Sequence, residues 1–110
     1  MEKIGYVRVS TAEQNIENQR RILEDAGIPR DLIFDDQGIS GTIPPRKRPG
    51  FRAMLDYTES HPEVHYLFVF ELSRLGRTLI ETLTTINDLE ERGVMVWSLS
   101  PTEAFTRNED

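Results

Sequence analysis

The sequence predicts a three-layer α/β/α domain built on a central, mostly parallel sheet of about four to five strands. Three observations predict it. Short apolar runs (KIGYVRV, YLFVF and VMVWSL) have strand length, and longer amphipathic stretches separate them. YLFVF is apolar at every position, as expected when helices cover both faces of a parallel sheet. Alternation of strand and helix along the whole chain then favours layered α/β packing.

The elements follow in order. Residues 3–9 form the first strand, with Val7 and Val9 on one face and Arg8 and Ser10 on the other, because strand side chains alternate. Residues 12–26 form an amphipathic helix with Ile16, Ile22, Leu23 and Ala26 inward and Gly27 at its end. Ile33 and Phe34 mark a short second strand. Asp36 to Gly50 is rich in Gly and Pro and lacks periodicity, the signature of a functional or mobile loop. Phe51, Met54 and Leu55 open a second helix that runs to about Glu59. After YLFVF, positions 79, 83, 86 and 89–90 trace a third helix closed by Gly93, and VMVWSL is the last strand. Residues 1–100 are read as one domain, and the polar, aperiodic 101–110 as a frayed tail.

Bulk properties narrow the function. The chain of 110 residues, 37% hydrophobic and 29% charged, suits one globular domain. Its longest apolar run is too short to span a bilayer, so no membrane role is expected. The absence of cysteine removes disulfides and thiolate metal sites and fits the cytoplasm. His61 and His65, split by Pro62, are read as surface residues, and no metal site is expected. The net charge of −6 opposes tight duplex binding by this chain, although basic residues gather at 46–52 and 74–77.

Those basic residues face a hydroxyl. Ser10 ends the first strand beside Arg8, Arg74 and Arg77 lie three apart in ELSRLGR, and PPRKRPGF carries Arg46, Lys47 and Arg48. A hydroxyl among guanidinium groups suits attack on a phosphodiester, whose transition state spreads charge over phosphate oxygens. Bland readings compete with each residue. Ser10 or Thr11 fits a helix capping box; if Thr11 caps, Ser10 is available to substrate. Arg8 in an apolar strand needs either a carboxylate, with Asp36 the candidate, or an anionic ligand. Arg74 and Arg77 at a helix start oppose the macrodipole unless an anion sits there, or they are solvated charges. Gln14 and Gln19 read by themselves as surface residues.

Taken together, YVRVST with Gln14 and Gln19, DDQGISG, RPGF and SRLGR followed by a helix and Gly93 resemble the catalytic domain of the serine recombinases, the resolvase/invertase family. The resemblance runs from about residue 3 to residue 100. It implies that Ser10 attacks DNA and forms a covalent 5′-phosphoserine link, with Arg8, Arg48, Arg74, Arg77 and Asp36 assisting and Gln14, Gln19 and Ser73 supporting the site. Neither ATP nor a metal is needed, because the phosphodiester energy stays in the protein–DNA bond. Ser73 departs from the aspartate common in the family's resolvases, and no general base is assigned.

The resemblance also implies partners: double-stranded DNA at recombination sites, and a homo-oligomer, dimer and synaptic tetramer, in the full-length protein. Family members continue into a long oligomerisation helix and a DNA-binding domain, so this chain is expected to be a catalytic portion. The rival expectation is a non-catalytic α/β phosphate-binding or regulatory module that modulates a full-length recombinase. A receiver-like site would want acidic strand ends, whereas Ser73 and Arg74 make this edge basic.

Overall fold

The computed structural model describes residues 2–9 and 16–106. Four strands, β1 (Glu2–Val9), β2 (Ile33–Gln37), β3 (Val64–Val69) and β4 (Met95–Ser98), form one sheet in the order β2-β1-β3-β4. All three pairings are parallel, with Gly5 opposite Ile33 on one side and Phe68 on the other. Helices α1 (Ile16–Asp25), α2 (Pro49–Ser60) and α3 (Leu79–Glu91) supply the crossovers. The strand count falls at the lower end of the expected range, and the parallel α/β architecture is as expected.

The pleat of β1 divides the core. Ile4 and Tyr6 join the larger cluster with Phe51, Met54 and Leu55 of α2, Leu89 of α3, and Leu67 and Val96. Val7 and Val9 face the other way and pack with Ile16 and Leu23 of α1, Ile28, Ile33 and Phe68. Helix α1 therefore covers one face, and α2 and α3 the other. Burying both faces explains the lack of polar alternation in β3.

Three expectations need correction. The irregular stretch is shorter than the predicted 36–50: β2 runs to Gln37, a 3-10 turn covers Pro45–Lys47, and α2 begins at Pro49. Backbone contact explains the early helix start, because a Cβ on Gly50 would lie 2.0 Å from the Asp35 carbonyl oxygen. Glycine alone lets α2 begin against β2. The predicted inner face of α3 is only partly inward, since Leu79 and Leu83 are exposed and the buried residues are Thr82 and Leu89. Gly76 sets that geometry: its Cβ would sit 2.5 Å from the Thr82 nitrogen, so the first turn of α3 packs directly on the preceding segment.

The third correction concerns residues 101–106. They form 3-10 turns over Pro101–Thr106 rather than a frayed end. The Glu103 carboxylate accepts from the Leu72 N–H (2.8 Å) and the Ser98 hydroxyl (2.6 Å), tying this segment to the ends of β3 and β4. Residues 107–110, part of the same expectation, lie outside the described residues, as do residues 12–15 of the predicted first helix.

Candidate active site

Strand order reverses at β1, which has β2 on one side and β3 on the other. In open parallel sheets the carboxyl ends at such a reversal form a crevice suited to ligands. Three arginines converge there. Arg8 is near the end of β1, Arg74 lies in a 3-10 turn, Leu72–Leu75, just after β3, and Arg48 occupies the N-cap position of α2.

Their surroundings are unusual for arginine. Arg48 is fully buried. Its Nε donates to the Ile43 carbonyl (2.9 Å) and its Nη1 to the Arg74 carbonyl (2.6 Å), while Nη2 is buried without a hydrogen-bond partner. Arg8 is 7% exposed and donates from Nη1 to the Ile39 carbonyl (3.1 Å), leaving Nε buried and unpartnered. Arg74 meets Glu71 at 3.2 Å, and its Nε is likewise orphaned. Burial holds the Arg8 pKa below its ordinary value, and the Arg74 and Arg48 charges add to the depression. Guanidinium groups only donate, so three buried N–H groups without acceptors leave this cluster short of an anion.

Asp36 does not supply that anion. The proposed Arg8–Asp36 ion pair is absent among the described residues. Asp36 Oδ1 accepts from the Gly50 N–H (2.7 Å), and Oδ2 from the Phe51 N–H (3.0 Å) and the Tyr6 hydroxyl (2.7 Å). The carboxylate caps α2, satisfying donors that a helix start leaves open. RPGF thus has a local logic: Arg48 occupies the N-cap position without capping, Pro49 takes the first helical position, Gly50 permits close approach, and Phe51 packs edge-on to Tyr6 at 5.4 Å.

The other predicted site residues separate. Arg77 stands toward solvent and is held by Glu81, which accepts from its Nε, Nη2 and backbone N–H. Its pKa is raised by that pairing, and the Glu81 carboxyl is lowered by it. Ser73 is exposed in the turn beside Arg74. The side-chain oxygen of Gln19 is buried without a hydrogen-bond partner, unlike an ordinary surface glutamine. Ser10 and Gln14 lie outside the described residues. Arg46 pairs with Asp88 at 2.8 Å, away from the cluster's chemistry. His61 stacks on Tyr57 (3.8 Å).

Sequence reasoning missed Tyr6 and Glu81. Tyr6 shares the β1 face of Arg8, so a hydroxyl two residues before a buried arginine was the available signal. Glu81 follows Arg77 by four positions, the spacing of a helical ion pair.

The family "Resolvase, N terminal domain" matches residues 3–110. This chain belongs to that family. It is 42% identical over 100 residues to the DNA-invertase hin of Salmonella typhimurium, covering 91% of this chain and 48% of the relative. The Transposon Tn2501 resolvase of Escherichia coli is 40% identical over 99 residues, covering 87% and 48% respectively. The chain thus spans about half the length of the curated relatives it matches. Its fold is that of serine recombinase catalytic domains. The crystal structure of the N-terminal catalytic domain of TP901-1 integrase superposes with a TM-score of 0.74 at 24% identity, covering 94% of this chain and 79% of that one.

Proposed function

We propose that this chain is the catalytic domain of a site-specific DNA recombinase that cuts and rejoins double-stranded DNA through a phosphoserine intermediate. The observation that carries the reading is the set of three buried guanidinium nitrogens, one each on Arg8, Arg48 and Arg74, that lack acceptors near the carboxyl ends of the strands. Ser10 follows Val9, the last residue of β1, in sequence. Its hydroxyl oxygen attacks phosphorus, the bond to the 3′ oxygen breaks, and a phosphoserine forms on the 5′ end. The proton lost by Ser10 is balanced by one gained at the departing 3′ oxygen. Attack by a 3′ hydroxyl from the exchanged strand reverses the step and reseals the duplex.

Arg8, Arg48 and Arg74 stabilise the charge that builds on the phosphate oxygens, a role that preorganised donors fill best in a water-poor site. Arg77 joins them by leaving Glu81. Asp36 holds α2 and Arg48 in place, and Gln14, Gln19 and Ser73 support the site. Duplex recognition and assembly into a dimer and synaptic tetramer fall to segments outside residues 1–110, in keeping with the greater length of the relatives and the acidic charge of this chain. No helix among the described residues is long and apolar enough to cross a membrane. The reading places the reaction on cytoplasmic DNA.

The decisive test uses a full-length protein on a recombination site nicked so that cleavage is trapped. A covalent protein–DNA adduct is expected, and it should vanish in Ser10→Ala. An undiminished adduct in that variant would sink the assignment. Residues 1–110 alone should retard duplex DNA weakly and exchange no strands.

A further inference from the structure

Asp36 and Arg48 carry opposite charges, both are buried, and both meet one hydroxyl. The Tyr6 Oη donates to Asp36 Oδ2 at 2.7 Å and lies 3.5 Å from Arg48 Nη1. A tyrosine hydroxyl has one proton to give. With that proton on Asp36, only its lone pairs face the guanidinium. The other Asp36 contacts are the two N–H groups at the start of α2. Arg48 spends its remaining bonds on the Ile43 and Arg74 carbonyls, and its Nη2 has none. A direct, charge-assisted pair between these residues would be strong in such a setting. Instead a neutral group stands between them. The ring is fully buried and fixed edge-on against Phe51. Burial also raises the phenol's pKa, so the spacer stays uncharged.

We propose that Tyr6 is a positioning residue whose hydroxyl keeps Arg48 from collapsing onto Asp36, holding the guanidinium charge in reserve for a phosphate. The inference rests on reading the arginine cluster as a phosphate site. Its physical content is that removing the hydroxyl leaves Asp36 Oδ2 short of a donor beside an arginine with an unused one. The two then pair, and phosphate must compete with a carboxylate for Arg48. A hydroxyl serving only the fold behaves differently: its loss lowers stability and leaves Arg48 where it was.

The test compares this chain with its Tyr6→Phe variant, using inorganic phosphate as the probe. Arginine side-chain NMR follows binding, thermal unfolding follows stability, and a structure of the phosphate-free variant locates Arg48. Phosphate binding should weaken about tenfold, equivalent to about 1.4 kcal/mol, with no fall in the unfolding midpoint. Arg48 Nη1 should move to within about 3 Å of Asp36 Oδ2. Unchanged phosphate affinity with Arg48 unmoved overturns the proposal, and so does a lowered midpoint without a new pair. If the parent chain binds no phosphate at Arg8 and Arg74 while the variant still forms the pair, the phosphate reading falls and the spacer geometry stands.

Discussion

Five arginines near the surface and those in the crevice follow opposite rules. Arg20, Arg30, Arg46, Arg77 and Arg92 each meet at least one carboxylate within 3.4 Å. Water would have solvated these groups well without such partners, so the pairs contribute little. Arg8 and Arg48, where water is excluded and a counter-charge is worth most, have only backbone carbonyls and the long contact to a tyrosine hydroxyl. Arg74 is intermediate, with one carboxylate contact and one orphaned donor. Folding alone does not reward this distribution, because an uncompensated buried charge is costly. The difference teaches where the fold gives up stability, and a site that gives up stability by withholding an anion is poised to take one.

The comparison can be broken most forcefully at Asp36. If it is a helix cap rather than a charge partner, Asp36→Ala should strand two backbone N–H groups and the Tyr6 hydroxyl, lowering stability by about 4 kcal/mol in urea unfolding. A loss below about 1 kcal/mol would instead mark the cap as unimportant. The next effect falls on chemistry. In a full-length protein, Arg74→Ala should slow adduct formation on a nicked site by about 100-fold, the scale for removing one preorganised donor. Adduct formation at the parental rate would show that the orphaned donors do not face the reacting phosphate.

Smaller effects sharpen the surface side. Arg46→Ala, which removes the pair with Asp88, should change unfolding free energy by no more than about 0.5 kcal/mol. The Arg77–Glu81 pair predicts a pH dependence with a definite sign. The Arg77 side chain and then its backbone N–H hold the Glu81 carboxyl below its ordinary value. The pairing is therefore present above the ordinary glutamate range, about pH 4.3, and is lost as pH falls through the depressed value. Carbon-13 NMR titration of Glu81 should show that low midpoint, and Arg77→Ala should raise it part of the way to the ordinary one, since the backbone N–H at position 77 still donates.

Much of the fold was legible because parallel α/β packing writes itself into the chain. The fully apolar YLFVF and the alternation in KIGYVRV specified covered faces, and all four strands and three helices were located near their observed places. What misled was periodicity at positions whose partner lies elsewhere. Leu79 and Leu83 have helical spacing yet stand exposed, because Gly76 draws only the Thr82 side of α3 inward. The stretch after Asp36 looked structureless because a buried carboxylate fourteen and fifteen residues before the N–H groups it accepts from organises the start of α2, a long-range bond that no local pattern shows. Arg8 and Arg74 were readable from residue type and position, whereas Arg48 was singled out only by the family resemblance, and Arg77, expected with them, pairs with Glu81 instead. The Asp36–Tyr6–Arg48 arrangement was not readable, since it joins three separate segments.

The central position of β1 has a consequence for how the molecule is made. The first strand in the chain is the middle of the sheet, and its register fixes Gly5 against Ile33 on one flank and Phe68 on the other. During synthesis, Ile4, Tyr6 and Val7 emerge with neither neighbour available, and the second flank stays open until β3 has left the ribosome. Pairings so distant in sequence are closed late and slowly, because loop entropy is lost before contacts repay it. An apolar strand with two open edges is a template for the wrong partner during that interval. The charged Glu2 and Lys3 at its start, and Arg8 near its end, give the nascent strand gatekeepers at both ends.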